Sequence, residues 1–184
     1  MTSQTAPALR PTDEASKEGL RLAKEAGEAY RRMVDYFLEK VATAGATQRA
    51  GDYLVGVATE EAEPLWYLLG GRLELKEPAA GQNAHLEVVV MDAADHRFVP
   101  ELTIDVSVAR GGDDVGTFRL PFLWHPTMYH YGHSIHIDEA GEYDLTVSIA
   151  PPTFGRHDKT NGRRYAEPIS VIFKGIRLEP GRKT

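Results

Sequence analysis

Two segments of this chain alternate apolar and polar residues with a period of two. Leu102, Ile104, Val106 and Val108 stand against Thr103, Asp105 and Ser107, and Tyr143, Leu145, Val147 and Ile149 stand against Asp144, Thr146 and Ser148. Successive side chains on a strand leave opposite faces, so both segments describe sheets with one face in a core and one in water. Runs rich in β-branched and aromatic residues at Tyr53 to Thr59, Leu65 to Leu69, Leu73 to Leu75, His85 to Met91, Thr117 to Phe122 and Ile169 to Phe173 also read as strands. Turn chemistry separates them at Gly111-Gly112-Asp113-Asp114, Asp138-Glu139-Ala140-Gly141 and Asn161-Gly162. Short strands at this spacing, with no helix between them, predict an antiparallel β-sandwich over residues 47–179.

Residues 12–46 read as a helical segment preceding the sandwich. A helix from Thr12 to Val41 is expected, with Pro11-Thr12 at its cap, Asp13 and Glu14 in its first turn and Gly45 ending the stretch. Leu20, Ala23, Gly27, Tyr30, Val34, Phe37 and Val41 recur at steps of three and four and form an apolar seam. Such a seam packs on the rest of the chain or on a second copy, with its closest approach near Gly27. The ends, 1–11 and 180–184, read as flexible tails.

Composition removes several classes of function. The formal charge of -6 gives no basic footprint for nucleic acid. The absence of cysteine removes disulfides, thiolate zinc sites, iron-sulfur clusters and Cys-ligated copper. The N-terminus carries no secretory signal pattern and no apolar run reaches membrane-spanning length, so the chain as written is expected to stay cytoplasmic. Gly-rich phosphate loops, His-Glu-x-x-His, an EF-hand loop and a Gly-x-Ser-x-Gly elbow are all absent.

Histidine is the residue type left with chemistry to offer. His125, His130, His133 and His136 are four of the seven in the chain, and imidazole is the commonest protein metal ligand. The stretch reads as a strand broken by a turn at Gly132, with His130, Ser134 and His136 on one face and His133 and Ile135 on the other. His85 and Glu87, two apart on a predicted strand, leave one face together and can approach one ion. Because Leu86, Val88 and Val90 make the opposite face apolar, this pair is expected inside the sandwich or at its rim, where an unpaired charge is costly. Arg156, Lys159, Arg163 and Arg164 read as a solvated basic loop.

His85-Leu-Glu87, Phe98-Val-Pro-Glu-Leu-Thr-Ile104, Gly116-Thr-Phe118, His130-Tyr-Gly132, Gly141-Glu-Tyr-Asp-Leu-Thr-Val-Ser-Ile-Ala-Pro-Pro152 and Gly155-Arg-His157 follow in an order that resembles the periplasmic Fe(II)-transport-associated family over about residues 52–178. The resemblance implies a cupredoxin-like sandwich, a homodimer, an association with a membrane iron permease, and a site holding copper and iron. It also implies copper ligands of three histidines and a methionine with a glutamate nearby, which map here to His85, His130, His157 and Glu87. The methionine position falls on Phe122 or Leu123, and His125 or Met128 is left to substitute. Loss of the thioether favours Cu(II), Zn(II) or Fe(II) over Cu(I).

The sequence therefore predicts a mainly β, cupredoxin/immunoglobulin-like antiparallel sandwich preceded by an α-helix. Its expected role is non-enzymatic binding of copper or iron, with zinc as a further ion, through His85, Glu87, His130, His157 and His125. Two rival classes are a metalloenzyme with an open coordination position at the same residues and a metal-free interaction module that uses the helix seam.

Overall fold

The computed structural model describes residues 7–183. One helix, α1 (Lys17–Lys40), precedes eleven strands: β1 (Ala44–Ala50), β2 (Tyr53–Glu60), β3 (Leu65–Leu69), β4 (Arg72–Lys76), β5 (Ala84–Asp92), β6 (Ile104–Arg110), β7 (Asp113–Leu120), β8 (Phe122–Trp124), β9 (Tyr129–Ile135), β10 (Gly141–Ile149) and β11 (Ile169–Leu178). A five-stranded sheet in the order β1-β2-β5-β9-β8 faces a four-stranded sheet in the order β11-β10-β6-β7, while β3 and β4 form a separate hairpin. All strand pairings are antiparallel. The expected sandwich is present.

The alternating segments build its core. Ile104, Val106 and Val108 of β6 pair in register with Ile149, Val147 and Leu145 of β10 and are buried with them. Tyr53, Val55 and Val57 of β2 and Leu86, Val88 and Val90 of β5 meet them from the opposite sheet. This burial, at roughly 25 cal/mol per Å² of apolar area, is the main force holding the two layers together.

The outer face of the five-stranded sheet is not in water, because α1 lies across it. Val34 packs with Val89 and Met91 of β5, and Phe37 packs with Ala58 and Met128. Every residue of β5 is buried, Leu86, Val88 and Val90 against the second sheet and Val89 and Met91 against the helix. Tyr30 pins the arrangement by donating to the Tyr129 carbonyl (2.7 Å) and accepting from the Tyr129 N–H (3.2 Å). Gly27 is the point of closest approach: a Cβ there would lie 1.7 Å from the Asp95 carbonyl oxygen.

Several expected boundaries move. The helix starts at Lys17 and not at Thr12, because Ser16 is its cap and accepts from Gly19 N–H (3.0 Å), whereas the Thr12 hydroxyl donates to Asp158 (2.7 Å). Gly45 does not end it; the cap is Val41, and residues 44–46 of the expected helical segment belong to β1, which pairs along β2. Asp113 and Asp114, read as turn, open β7, and Leu102 and Thr103 precede β6. Arg164 is not a solvated loop cation, since it is held by Asp92 (2.8 Å) with only 10% of its side chain exposed. The expected flexible tails 1–11 and 180–184 include residues outside the described range. Within it, Arg10 exchanges hydrogen bonds with Asn161, and Gly181 and Lys183 bond to Asn83 and Ala62.

Gly27→Ala tests the helix seat. A glycine-to-alanine change inside a helix ordinarily gains up to ~1 kcal/mol, but here the methyl group meets a backbone carbonyl. A net loss of ~1–3 kcal/mol, the usual cost of overpacking, is expected by urea unfolding.

Candidate metal centre

β5 and β9 place the cluster. In their register His85 faces Ser134 and Glu87 faces Gly132, so these side chains leave the sheet on the α1 side, and His130, two residues before Gly132, leaves on the same side. Ligand atoms of His85, Glu87 and His130 all lie within 4.8 Å of one another, and all three residues are buried. Glu87 Oε1 is 3.5 Å from His130 Nε2 and 4.0 Å from His85 Nε2. His85 is oriented from behind by Ser134, whose hydroxyl is 3.0 Å from Nδ1. The pair leaves the outer face of its sheet, where the expectation allowed the sandwich interior or its rim, and Glu87 lies beside Val34 and Phe37 of α1.

Buried polar groups are ordinarily paired. Here His85 Nε2, Glu87 Oε2 and His130 Nδ1 have no hydrogen-bond partner among the described residues. Burial pushes His85 down to about 4, with Lys183 and His133 adding to the effect. Burial likewise pushes His130 down to about 4, helped by His85 and His125. It pushes Glu87 up to about 8, reinforced by Glu60 and Glu63 and opposed by Lys183. Near neutral pH the metal-free cluster therefore presents two neutral imidazoles and a protonated carboxyl group. The unpartnered His85 Nε2, with His130 Nε2 and Glu87 Oε1 beside it, makes two nitrogens and one oxygen, a donor set that suits a divalent transition ion.

Not every histidine named from the sequence joins them. His125 lies nearby, its ring centroid 6.3 Å from that of His130, with Nδ1 turned toward Thr127. Met128 is buried and lines a small cavity together with Glu87, His130, Val34 and Phe37. His157 is far away: it is exposed and lines a surface cleft with Leu20 at the start of α1, whereas the cluster lies under the stretch around Val34, roughly 20 Å along a helix rising ~1.5 Å per residue. His136 falls beyond β9 and bonds to Gly81 and Asp138. His133 points to the other side, near Phe118.

A sequence profile of the Fe2+ transport protein family matches residues 73–176, more than half of the chain. The chain belongs to this family. Its fold is shared with FetP of uropathogenic Escherichia coli strain F11 in the as-isolated form, at 20% identity and a TM-score of 0.57 over 73% of this chain and 96% of FetP. A copper-bound FetP variant aligns with a TM-score of 0.58 at 20% identity, over 72% of this chain and 94% of the variant. The copper-reconstituted P19 protein of Campylobacter jejuni aligns at 0.58 and 20% identity, over 76% of this chain and 96% of P19. Comparison with curated protein sequences gives no match. Among the described residues of this family member, no helix is long and apolar enough to cross a membrane.

Sequence reading missed Glu60, Glu63, Ser134 and Lys183 as neighbours of the cluster. Glu60 stands one residue past the strand read at Tyr53 to Thr59, and only the β2–β5 register sets it opposite His85. Gly132 was expected to break its strand, yet it lies within β9, and its missing side chain makes room for His85. A Cβ at Gly132 would lie 2.7 Å from His85 Nε2 and 2.8 Å from Leu123 Cδ1. Gly132→Ala should displace the imidazole and cost ~1–3 kcal/mol. Thermal unfolding together with Cu(II) titration checks both effects.

Proposed function

We propose that this family member binds a copper or iron ion at His85, Glu87 and His130 as a non-enzymatic component of ferrous iron uptake. The observation that carries the reading is the approach of His85 Nε2 and His130 Nε2 to Glu87 Oε1, at 4.0 and 3.5 Å, in a buried cluster where His85 Nε2 has no hydrogen-bond partner among the described residues. The copper-bound relatives of the same fold support copper as one occupant, and the family supports iron as cargo. Zinc suits the same nitrogen and oxygen donors. Met128 or His125 completes the set. A membrane iron permease is the proposed partner, and a homodimer is the arrangement that would bring His157 of a second copy to the cluster.

Elemental analysis and Cu(II) titration of the purified chain test this. His85→Ala and His130→Ala should each weaken binding by at least ~10-fold, since even losing a group that merely supports a ligand typically costs ~10–100-fold. His96→Ala should leave it unchanged. A chain that carries no metal and binds none would overturn the reading in favour of an interaction module. Sedimentation and titration of His157→Ala check the dimer, with weaker binding expected only where the chain self-associates.

The pH dependence follows from the buried carboxyl group. Both imidazoles are neutral well above pH 4, so the proton that competes with the ion is the one on Glu87, which is lost only near pH 8. Affinity should therefore rise with pH to about 8 and then level off, with about one proton released per ion below that point. Glu87→Gln should flatten this rise in a pH series of Cu(II) titrations.

A further inference from the structure

The β3–β4 hairpin has its alternation inverted: the face with the charges turns toward the protein and the apolar face turns away from it. Register pairs Trp66 with Leu75 and Leu68 with Leu73, and residues directly opposite each other in an antiparallel pair share a face. These four side chains therefore form one face with no polar member. The other face mixes Leu65, Tyr67 and Leu69 with Arg72, Glu74 and Lys76. Leu65, Tyr67 and Lys76 of this mixed face line a cleft with Gln82, His133 and Ser134 of the body. The apolar face points outward, with Trp66, Leu68 and Leu73 65, 70 and 67% exposed and Leu75 46%.

A contiguous apolar face held out in water marks contact with another apolar phase. Four side chains of this size make a patch on the order of 400 Å², half of the ~800 Å² that each partner of a stable protein pair contributes. The hairpin also projects, since it joins neither sheet and a Cβ at Gly70 or Gly71 of its tip would meet nothing within 4 Å. A second copy has too little to grip there, whereas a bilayer takes up apolar side chains without matching their shape. Tryptophan, tyrosine and leucine beside a basic residue are the composition of an interfacial anchor. Charge agrees with this: Glu74, the only acid between Leu65 and Lys76, pairs with Lys76 (2.6 Å). Arg72 beside the tip is left as the hairpin's uncompensated charge, and a guanidinium suits lipid phosphate.

We propose that the β3–β4 hairpin is a foot that rests on a phospholipid bilayer, with the face of Trp66, Leu68, Leu73 and Leu75 dipping into the upper acyl chains. The outer edges of both strands are unpaired, and unpaired backbone is expensive in hydrocarbon, so the hairpin lies in the headgroup layer and does not cross it. The proposal needs neither an ion at the histidines nor a partner permease.

Vesicles of phosphatidylethanolamine and phosphatidylglycerol, mixed with the full chain, test it. The chain should co-sediment with them. Trp124→Phe leaves Trp66 as the one tryptophan, and its emission should shift to shorter wavelength on the vesicles and be quenched by lipids brominated on the acyl chains. Leu68→Thr with Leu73→Thr keeps strand preference and should weaken binding at least tenfold, because burying one leucine is worth about that factor. Thermal unfolding shows whether this variant is folded; if it is not, acyl-chain quenching of Trp66 in the folded parent decides. Failure of the wild type to sediment with vesicles, binding that the threonine pair leaves unchanged, or Trp66 emission insensitive to the brominated lipids would overturn the proposal. A dimer seen by sedimentation velocity without vesicles and abolished by the threonine pair would also overturn it, by making a second copy the occupant of this face.

Discussion

The structure turns on the double burial of β5. Its inner face is ordinary, with Leu86, Val88 and Val90 packed in the sandwich core. Its outer face changes character along its length: Val89 and Met91 lie under α1 as a second small core, and His85 and Glu87 continue the same row of side chains into polar territory. Taking a carboxyl group and two imidazoles out of water costs free energy that the apolar contacts around them must offset. The cluster meets that cost by giving up charge, with the imidazoles pushed down and Glu87 pushed up so that neutral forms dominate.

The helix is therefore more than a covering. Because α1 sits over the outer face, it lowers the local polarity around the cluster and sets which protonation states persist there. Its seat is rigid at three places along its length: Gly27 against the Asp95 carbonyl, Tyr30 on Tyr129, and Phe37 over Ala58 and Met128. It precedes residues 73–176, the part of the chain that carries the family pattern, so the family's sheet face is here enclosed by the chain's own N-terminal segment. The hairpin of β3 and β4 shows the contrast, because with no layer over it Trp66, Leu68 and Leu73 stay largely exposed.

How much of this was readable depended on whether the signal was local. Strands with clean alternation, such as those carrying Ile104 to Val108 and Tyr143 to Ile149, were legible because period-two burial is written in neighbouring residues. β1 was not: Ala-Gly-Ala-Thr-Gln-Arg-Ala has weak strand preference, and it is extended because β2 offers a complete ladder of hydrogen bonds. Gly132 misled for a related reason. Glycine usually marks a turn, but here its value is the empty space beside His85, a property of two strands together.

The sequence alone determined the two-layer architecture, the apolar seam of the helix with its contact at Gly27, and the shared face of His85 and Glu87, since each is a consequence of backbone periodicity acting within one segment. The ordered motifs also determined the family. The family resemblance already set His130 with His85 and Glu87, and only the tertiary structure decided that His157 lies near the other end of α1, because that follows from how a long loop returns. It likewise decided that the cluster lies beneath the helix and not between the sheets, and that Glu60, Glu63 and Lys183, distant in sequence, stand beside it. Charge, burial and hydrogen bonding are properties of neighbours in space, and for these residues the register of β2, β5 and β9 chose the neighbours.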